Sequence, residues 1–216
     1  EYSLGSTQQD TDLVAWTSAG NSTYIQITNL ELTEGETYWG SLRAFDAAGN
    51  LTIAFGNGVT IDITEPETGS IIDISGLDDT KDQSFTGSTT TMAGSWSGFS
   101  DNLSGIVSYE YAVGTNALQT DLKPWTTVEL DTIVSDGSFS LSNSETYHIS
   151  VRAIDAVGNI SLPVSSDGIT ADHEGPYGLT AVDGDSIDIE RQNIVDSYRG
   201  HWSLFSDDLS GLMSHE

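Results

Sequence analysis

The feature that most constrains this chain is a stretch that it contains twice. Residues 35–52 read GETYWGSLRAFDAAGNLT and residues 144–161 read SETYHISVRAIDAVGNIS. Tyr38 and Tyr147 stand 109 positions apart, and the copies share Tyr, Arg, Ala, Asp, Ala, Gly and Asn in register. A second pair, WSGFSDNLSGI from Trp96 and WSLFSDDLSGL from Trp202, is offset by 106. The chain is therefore one unit of about 106 to 110 residues, repeated in tandem. A unit of that size is large enough to bury its own core.

The frame of the repeat is permuted. Glu1 and Glu216 both align with Glu110, so the chain opens and closes in the middle of a unit. The expected division is the rear part of one unit over residues 1–66, a complete unit over 67–176 and the front part of a third over 177–216. Such a segment reads as a cut from a longer, fibre-like polypeptide, with any export signal or anchor outside it.

Charge narrows the list of partners. With 33 acidic and 6 basic residues the formal charge is −27, which repels phosphate backbones and excludes nucleic acid or an anionic membrane as the expected partner. No apolar run approaches the roughly 20 residues of a membrane span, so no membrane insertion is expected in this segment. The chain has no cysteine, so neither disulfides nor thiolate metal sites contribute to its stability.

The local pattern is that of strands. In GIVSYEYAVG from Gly105, the residues Val107, Tyr109, Tyr111 and Val113 alternate with small or polar ones, the period of a half-buried strand. In YHISVRA the same alternation sets Tyr147, Ile149, Val151 and Ala153 against His148, Ser150 and Arg152. Further strands are expected over 71–75, 92–99, 125–130, 138–141 and 164–171, separated by clusters of Gly, Ser, Asn and Asp. About seven short strands per repeat make an all-β fold of tandem Greek-key β-sandwiches. Leu-x-x-Gly/Ser-x-x-Tyr, ending at Tyr38 and Tyr147, places a tyrosine where its hydroxyl can bond back to the backbone, the tyrosine-corner arrangement. Asp46 to Asn50 and Asp155 to Asn159 each read as a tight reversal between strands.

Trp96, Ile106, Tyr109, Tyr111, Trp125 and L-x5-Y-x3-V-R-A-x-D-x2-G-N resemble the fibronectin type III pattern. FSDNLSGI, YEYAVGT, VRAIDAVGN and SSDGITADHEGP are more closely similar to the fibronectin-like or immunoglobulin-like tandem repeats of large bacterial cell-surface adhesins, the gliding adhesins of Bacteroidetes-type bacteria among them. Such repeats also serve as spacers in secreted enzymes. The resemblance implies a β-sandwich array at the bacterial cell surface or in the extracellular medium. It departs from the other copy at Ser144, which stands where that copy has Gly35.

The candidate chemistry is acidic. In a sandwich of this kind the loop at 100–104 and the hairpin at 155–159 lie at the pole where the chain enters, next to the linker 61–66. Asp62, Glu65, Asp101 and Asp155 are therefore expected to converge at one junction between units, and Asp172, Glu174, Asp207 and Asp208 at the next. Clustered carboxylates suit Ca²⁺, which would offset their repulsion and stiffen the rod. The alternative is that these aspartates cap backbone amides in turns and that the linker acids are solvated. Asp183 to Asp188 has the look of a calcium loop but fails the EF-hand spacing, with Asp188 where glycine belongs and Ile194 where glutamate belongs, and reads as a turn.

Nothing supports an enzyme. His148, His173, His201 and His215 are scattered, and Gly94 to Gly98 has Trp96 where a nucleophile elbow has serine. Trp96 and Trp202 match and are expected between sheets, while Trp16 and Trp125 match as half-buried residues at a strand edge. Trp39, beside Arg43 and Phe45, either stacks on a sugar or neighbour or is covered by a cross-strand partner. The expected function is that of a stalk or filament segment in bacterial adhesion, with surface motility a further use and neighbouring repeats as its first partners. A surface or glycan ligand would be its external partner. The alternative is a spacer or carbohydrate-binding accessory module of a secreted polysaccharide-degrading enzyme.

Overall fold

The computed structural model describes residues 1–76, 81–178, 180–184, 188–193 and 196–212, and every regular element among them is a β-strand. Strands β1 (Tyr2–Gly5), β2 (Val14–Thr17), β3 (Thr37–Phe45), β4 (Leu51–Phe55) and β5 (Val59–Thr60) form one sheet in the order β2-β1-β3-β4, with β5 also pairing β3. The middle of the chain supplies β6 (Ser70–Asp73), β7 (Phe85–Thr86), β8 (Met92–Ser97), β9 (Ile106–Gly114), β10 (Lys123–Thr127), β11 (Ile133–Asp136), β12 (Thr146–Asp155), β13 (Val164–Ser165) and β14 (Ile169–Ala171). Last come β15 (Ala181–Asp183) and β16 (Gly200–Trp202), paired antiparallel.

The middle strands make two sheets, β11-β8-β6 and β10-β9-β12-β14-β7, the second also carrying β13 against β12. All pairs are antiparallel except β14 with β7. The core lies between the sheets. From β12 come Tyr147, Ile149, Val151 and Ala153, all buried as their alternation requires; β9 adds Tyr109, Tyr111 and Val113, and β8 adds Met92 and Trp96. The Trp96 and Tyr109 rings meet edge to face at 5.8 Å, the geometry that aligns ring edge with ring face electrostatically. The result is an all-β sandwich, as the strand pattern requires.

Several details differ from the sequence reading. Val107 is exposed, because the β9–β12 register shifts between Ile154 and Asp155 and turns the start of β9 over. Ser150 is buried rather than solvated: the Leu118 amide reaches its hydroxyl, which itself donates to Ser165, so a loop covers this part of the second face. The strand expected at 138–141 is β11 at Ile133–Asp136 instead, although the amides of Phe139 and Leu141 still bond to the carbonyls of Thr90 and Thr89. The expected 164–171 strand is split at Gly168, whose φ of +105° breaks the ladder. A Cβ on Gly168 would lie 2.6 Å from the His148 ring; in the earlier copy Gly58 approaches Trp39 in the same way. Trp39 is thus covered from its own sheet rather than standing in an open row. Trp202 is exposed, since its two-stranded sheet has no facing sheet among the described residues.

Both tyrosine corners are present. The Tyr38 hydroxyl accepts the Thr33 amide at 2.9 Å, and that of Tyr147 accepts the Ser142 amide at 2.8 Å. Gly35 and Ser144 take the same left-handed conformation, with φ of 77° and 66°. Their amides reach Ile61 and Ala171 respectively, so the serine keeps the corner and absorbs the backbone strain itself. A second repeated device sits on the outer face. Arg152 bonds Glu110 and lies 4.5 Å over Trp125, and Arg43 bonds Glu1 and lies 4.4 Å over Trp16. Each arginine covers a half-buried indole and keeps its charge paired.

Candidate functional site

The pole of the middle sandwich meets the linker before it. Glu67 and Ser100 exchange backbone hydrogen bonds, seating the chain as it enters β6. Three aspartates then come together from elements far apart in sequence: Asp62 from the linker, Asp101 from the loop between β8 and β9, and Asp155 from the end of β12. One carboxylate oxygen from each lies within 4.8 Å of the others. Asp155 is 1 % exposed and Asp62 9 %, so the group is recessed while Asp101 keeps it open to solvent.

Each of these carboxylates also organises its own loop. Asp155 Oδ1 accepts the amides of Val157, Gly158 and Asn159, and Oδ2 accepts Asn159 Nδ2 at 2.7 Å. Burial alone would raise its carboxyl, but these bonds outweigh that and hold it below the usual carboxylate range. Asp46, in the matching turn, is bonded by the Ala48 and Asn50 amides and by Asn50 Nδ2, and is likewise lowered, chiefly by the Asn50 side chain. Asp101 Oδ1 accepts the Leu103 and Gly105 amides, while its Oδ2 takes no hydrogen bond among the described residues. Asp62 bonds the Thr64 amide through Oδ1 and the Ser104 amide through Oδ2 at 3.0 Å. Ser104 Oγ is buried there without a partner. The trio thus caps turns and gathers oxygen ligands at once, a set that fits a hard cation.

Glu65 is not part of this group. It is exposed, and in an extended linker a side chain three positions from Asp62 points to the opposite face. At the following junction the framework recurs. Asp172 Oδ2 accepts the Ser210 amide at 3.2 Å and Oδ1 the Glu174 amide, and Asp207 Oδ1 accepts the Leu209 and Gly211 amides. Tyr177 and Ser206 exchange the backbone bonds that Glu67 and Ser100 make one unit earlier. The Ser210 side chain lowers the Asp172 carboxyl. Glu174 contributes its amide, and Asp208 accepts the Tyr177 hydroxyl at 2.6 Å; neither joins a described group of three carboxylates.

Sequence reasoning missed the role of Asn159, whose side-chain amide reaches the Thr64 carbonyl at 3.1 Å and so binds the linker to the hairpin. The signal was present in the recurrence of Asn50 and Asn159 at the end of both Asp-x-x-Gly-Asn turns. Among the described residues the histidines do not assemble: His148 faces the Ser166 carbonyl and His173 that of Ser88, while His215 lies outside the described residues. The aspartate-rich segment at 183–188 lies partly outside the described residues; within them, Asp188 accepts the Asp183 amide. No described helix is long and apolar enough to cross a membrane.

No family model matches the chain. It is similar to exoglucanase B of Cellulomonas fimi, with 29 % identity over 168 residues. That match takes in 76 % of this chain but only 14 % of the length of exoglucanase B.

Proposed function

We propose that this chain is a non-catalytic run of β-sandwich modules in a secreted, polysaccharide-degrading enzyme, acting as a spacer that sets distance and orientation between its other parts. The observation that carries the reading is the likeness to a seventh or less of an exoglucanase while most of this chain is covered. A region that makes up a small share of a hydrolase is what a spacer requires. Support also comes from the junction, where linker carbonyls and carboxylates are bonded to loops of the next sandwich, an arrangement suited to holding successive units at a fixed angle. In this reading the protein works outside the cell, its first partners are neighbouring modules of the same polypeptide, and Ca²⁺ at Asp62, Asp101 and Asp155 stiffens the joint.

The test uses the native full-length polypeptide, captured with antibodies raised against this segment. It should release sugar from an insoluble glucan, while the isolated segment should release none. A captured polypeptide composed of repeats throughout, without hydrolase activity, would overturn the reading. A second reading, the stalk or filament of a bacterial surface adhesin, is favoured by one observation: two successive junctions use the same bonding scheme, as a long uniform array would. Glycan binding by an isolated unit would point instead to a carbohydrate-binding module.

A further inference from the structure

A second acidic group lies inside the middle sandwich, away from the junction. Asp73 ends β6 and is completely buried. Its Oδ2 accepts the Gly168 amide at 3.1 Å, whereas its Oδ1 is buried and has no hydrogen-bond partner. Buried carboxylates of this kind are normally paired or bound to metal. Asp82 and Asp167 bring two more carboxylates to it, one oxygen of each of the three residues lying within 4.8 Å of the others.

The backbone fixes this arrangement. Asp82 Oδ1 accepts the Asp73 amide at 3.0 Å, the Gln83 amide bonds the Asp73 carbonyl, and Asp167 directly precedes the glycine whose amide is held by Asp73. Two oxygens bound to one Ca²⁺ at about 2.4 Å can be no more than about 4.8 Å apart, and the three aspartates meet that bound. Asp73 supplies an oxygen that lacks a donor, while Asp82 and Asp167 are exposed and leave a path for the ion and its waters. We propose that Asp73, Asp82 and Asp167 form a Ca²⁺ site that clips the end of β6, in one sheet, to the turn between β13 and β14, in the other.

Part of the site recurs. One unit later, Asp183 ends β15 and its amide is again held by a downstream carboxylate, that of Asp188. One unit earlier, Asn57 stands where Asp167 would be, so asparagine is already compatible with that turn. The site is independent of the spacer reading and of the junction aspartates.

The experiment is Ca²⁺ titration of the full 216-residue chain after chelator treatment, by calorimetry and thermal melting. The variants are Asp73→Asn, the double variant Asp82→Asn with Asp167→Asn, and, as a control, Asp62→Asn with Asp101→Asn. The Asp82/Asp167 variant should melt as the wild type does in chelator but lose a Ca²⁺-binding event, its affinity falling about tenfold or more. Asp73→Asn should melt higher than wild type in chelator, because it removes a buried acid that has one oxygen without a hydrogen-bond partner and two neighbouring carboxylates, and lower than wild type in millimolar Ca²⁺. The junction control should keep the event. Wild-type protein that binds no Ca²⁺, or an Asp82/Asp167 variant with unchanged affinity and stoichiometry, would overturn the proposal.

Discussion

The side-chain amide of Asn159 donates to the main-chain carbonyl of Thr64 at 3.1 Å, so a hairpin residue of one sandwich grips the linker leading into it. The same nitrogen donates to Asp155 Oδ2 at 2.7 Å, which aims it. Asn159→Ala should cost about 1 kcal/mol in stability, and should widen the range of angles at the junction. Small-angle scattering should then show a larger spread of maximum dimension than in the parent chain; superimposable profiles would deny Asn159 this role.

The junction aspartates make a separate prediction about metal. Millimolar Ca²⁺ should narrow the scattering-derived distribution of shapes, and chelator should restore it. Asp62→Asn with Asp101→Asn should abolish that response. Shape distributions insensitive to Ca²⁺ would leave the three carboxylates as turn caps alone.

Ser144 holds a left-handed φ of 66°, where Gly35 in the other copy takes 77° without a side chain. Ser144→Gly should therefore stabilise the middle sandwich by about 0.5–1 kcal/mol, since left-handed backbone is costly for a residue with a Cβ. Urea denaturation of the two proteins measures this directly, and a lower midpoint for the glycine variant would contradict it.

Asp136 accepts Lys123 Nζ and the Tyr111 hydroxyl, both at 2.8 Å, and the Ser138 amide at 3.0 Å. Burial alone would raise its carboxyl, but the bonds from Lys123, Ser138 and Tyr111 outweigh burial and hold it well below the normal range. A carboxyl lowered in the folded state stabilises above its unfolded value near 3.9, and that stabilisation disappears as pH falls through the folded value. Asp136→Asn should cost about 1–2 kcal/mol at neutral pH. The gap between variant and parent urea midpoints should shrink below about pH 4; a gap that stayed constant with pH would show that the charge of Asp136 is not what stabilises.

The legible parts of this protein are those written in short range or in duplicate. The Tyr147 corner, the Asp155 turn and the alternating face of β12 each depend on residues within about one strand length, and each occurs twice. The meeting of Asp62, Asp101 and Asp155 was also legible, because sandwich topology fixes which loops share a pole. Glu65 did not follow, since a count of nearby acids ignores which way an extended chain turns each one. Asp73 was invisible for a different reason: its partner Gly168 lies 95 positions away on the other sheet, and nothing local marks one aspartate among many as buried. Val107 was misplaced by a register shift that no alternation pattern can announce.

The pairing of β7 with β14 is the single parallel strand pair among the described residues of the middle sandwich, and it joins strands near opposite ends of that unit. Tension along the chain would pull β7 towards residue 66 and β14 towards residue 176, sliding the strands past each other instead of peeling them apart. The bonds from Thr170 to Ser84 and from Asp172 to Thr86 would then be loaded together, in shear. Bonds loaded side by side in this way would share a pull that peeling would place on one bond at a time.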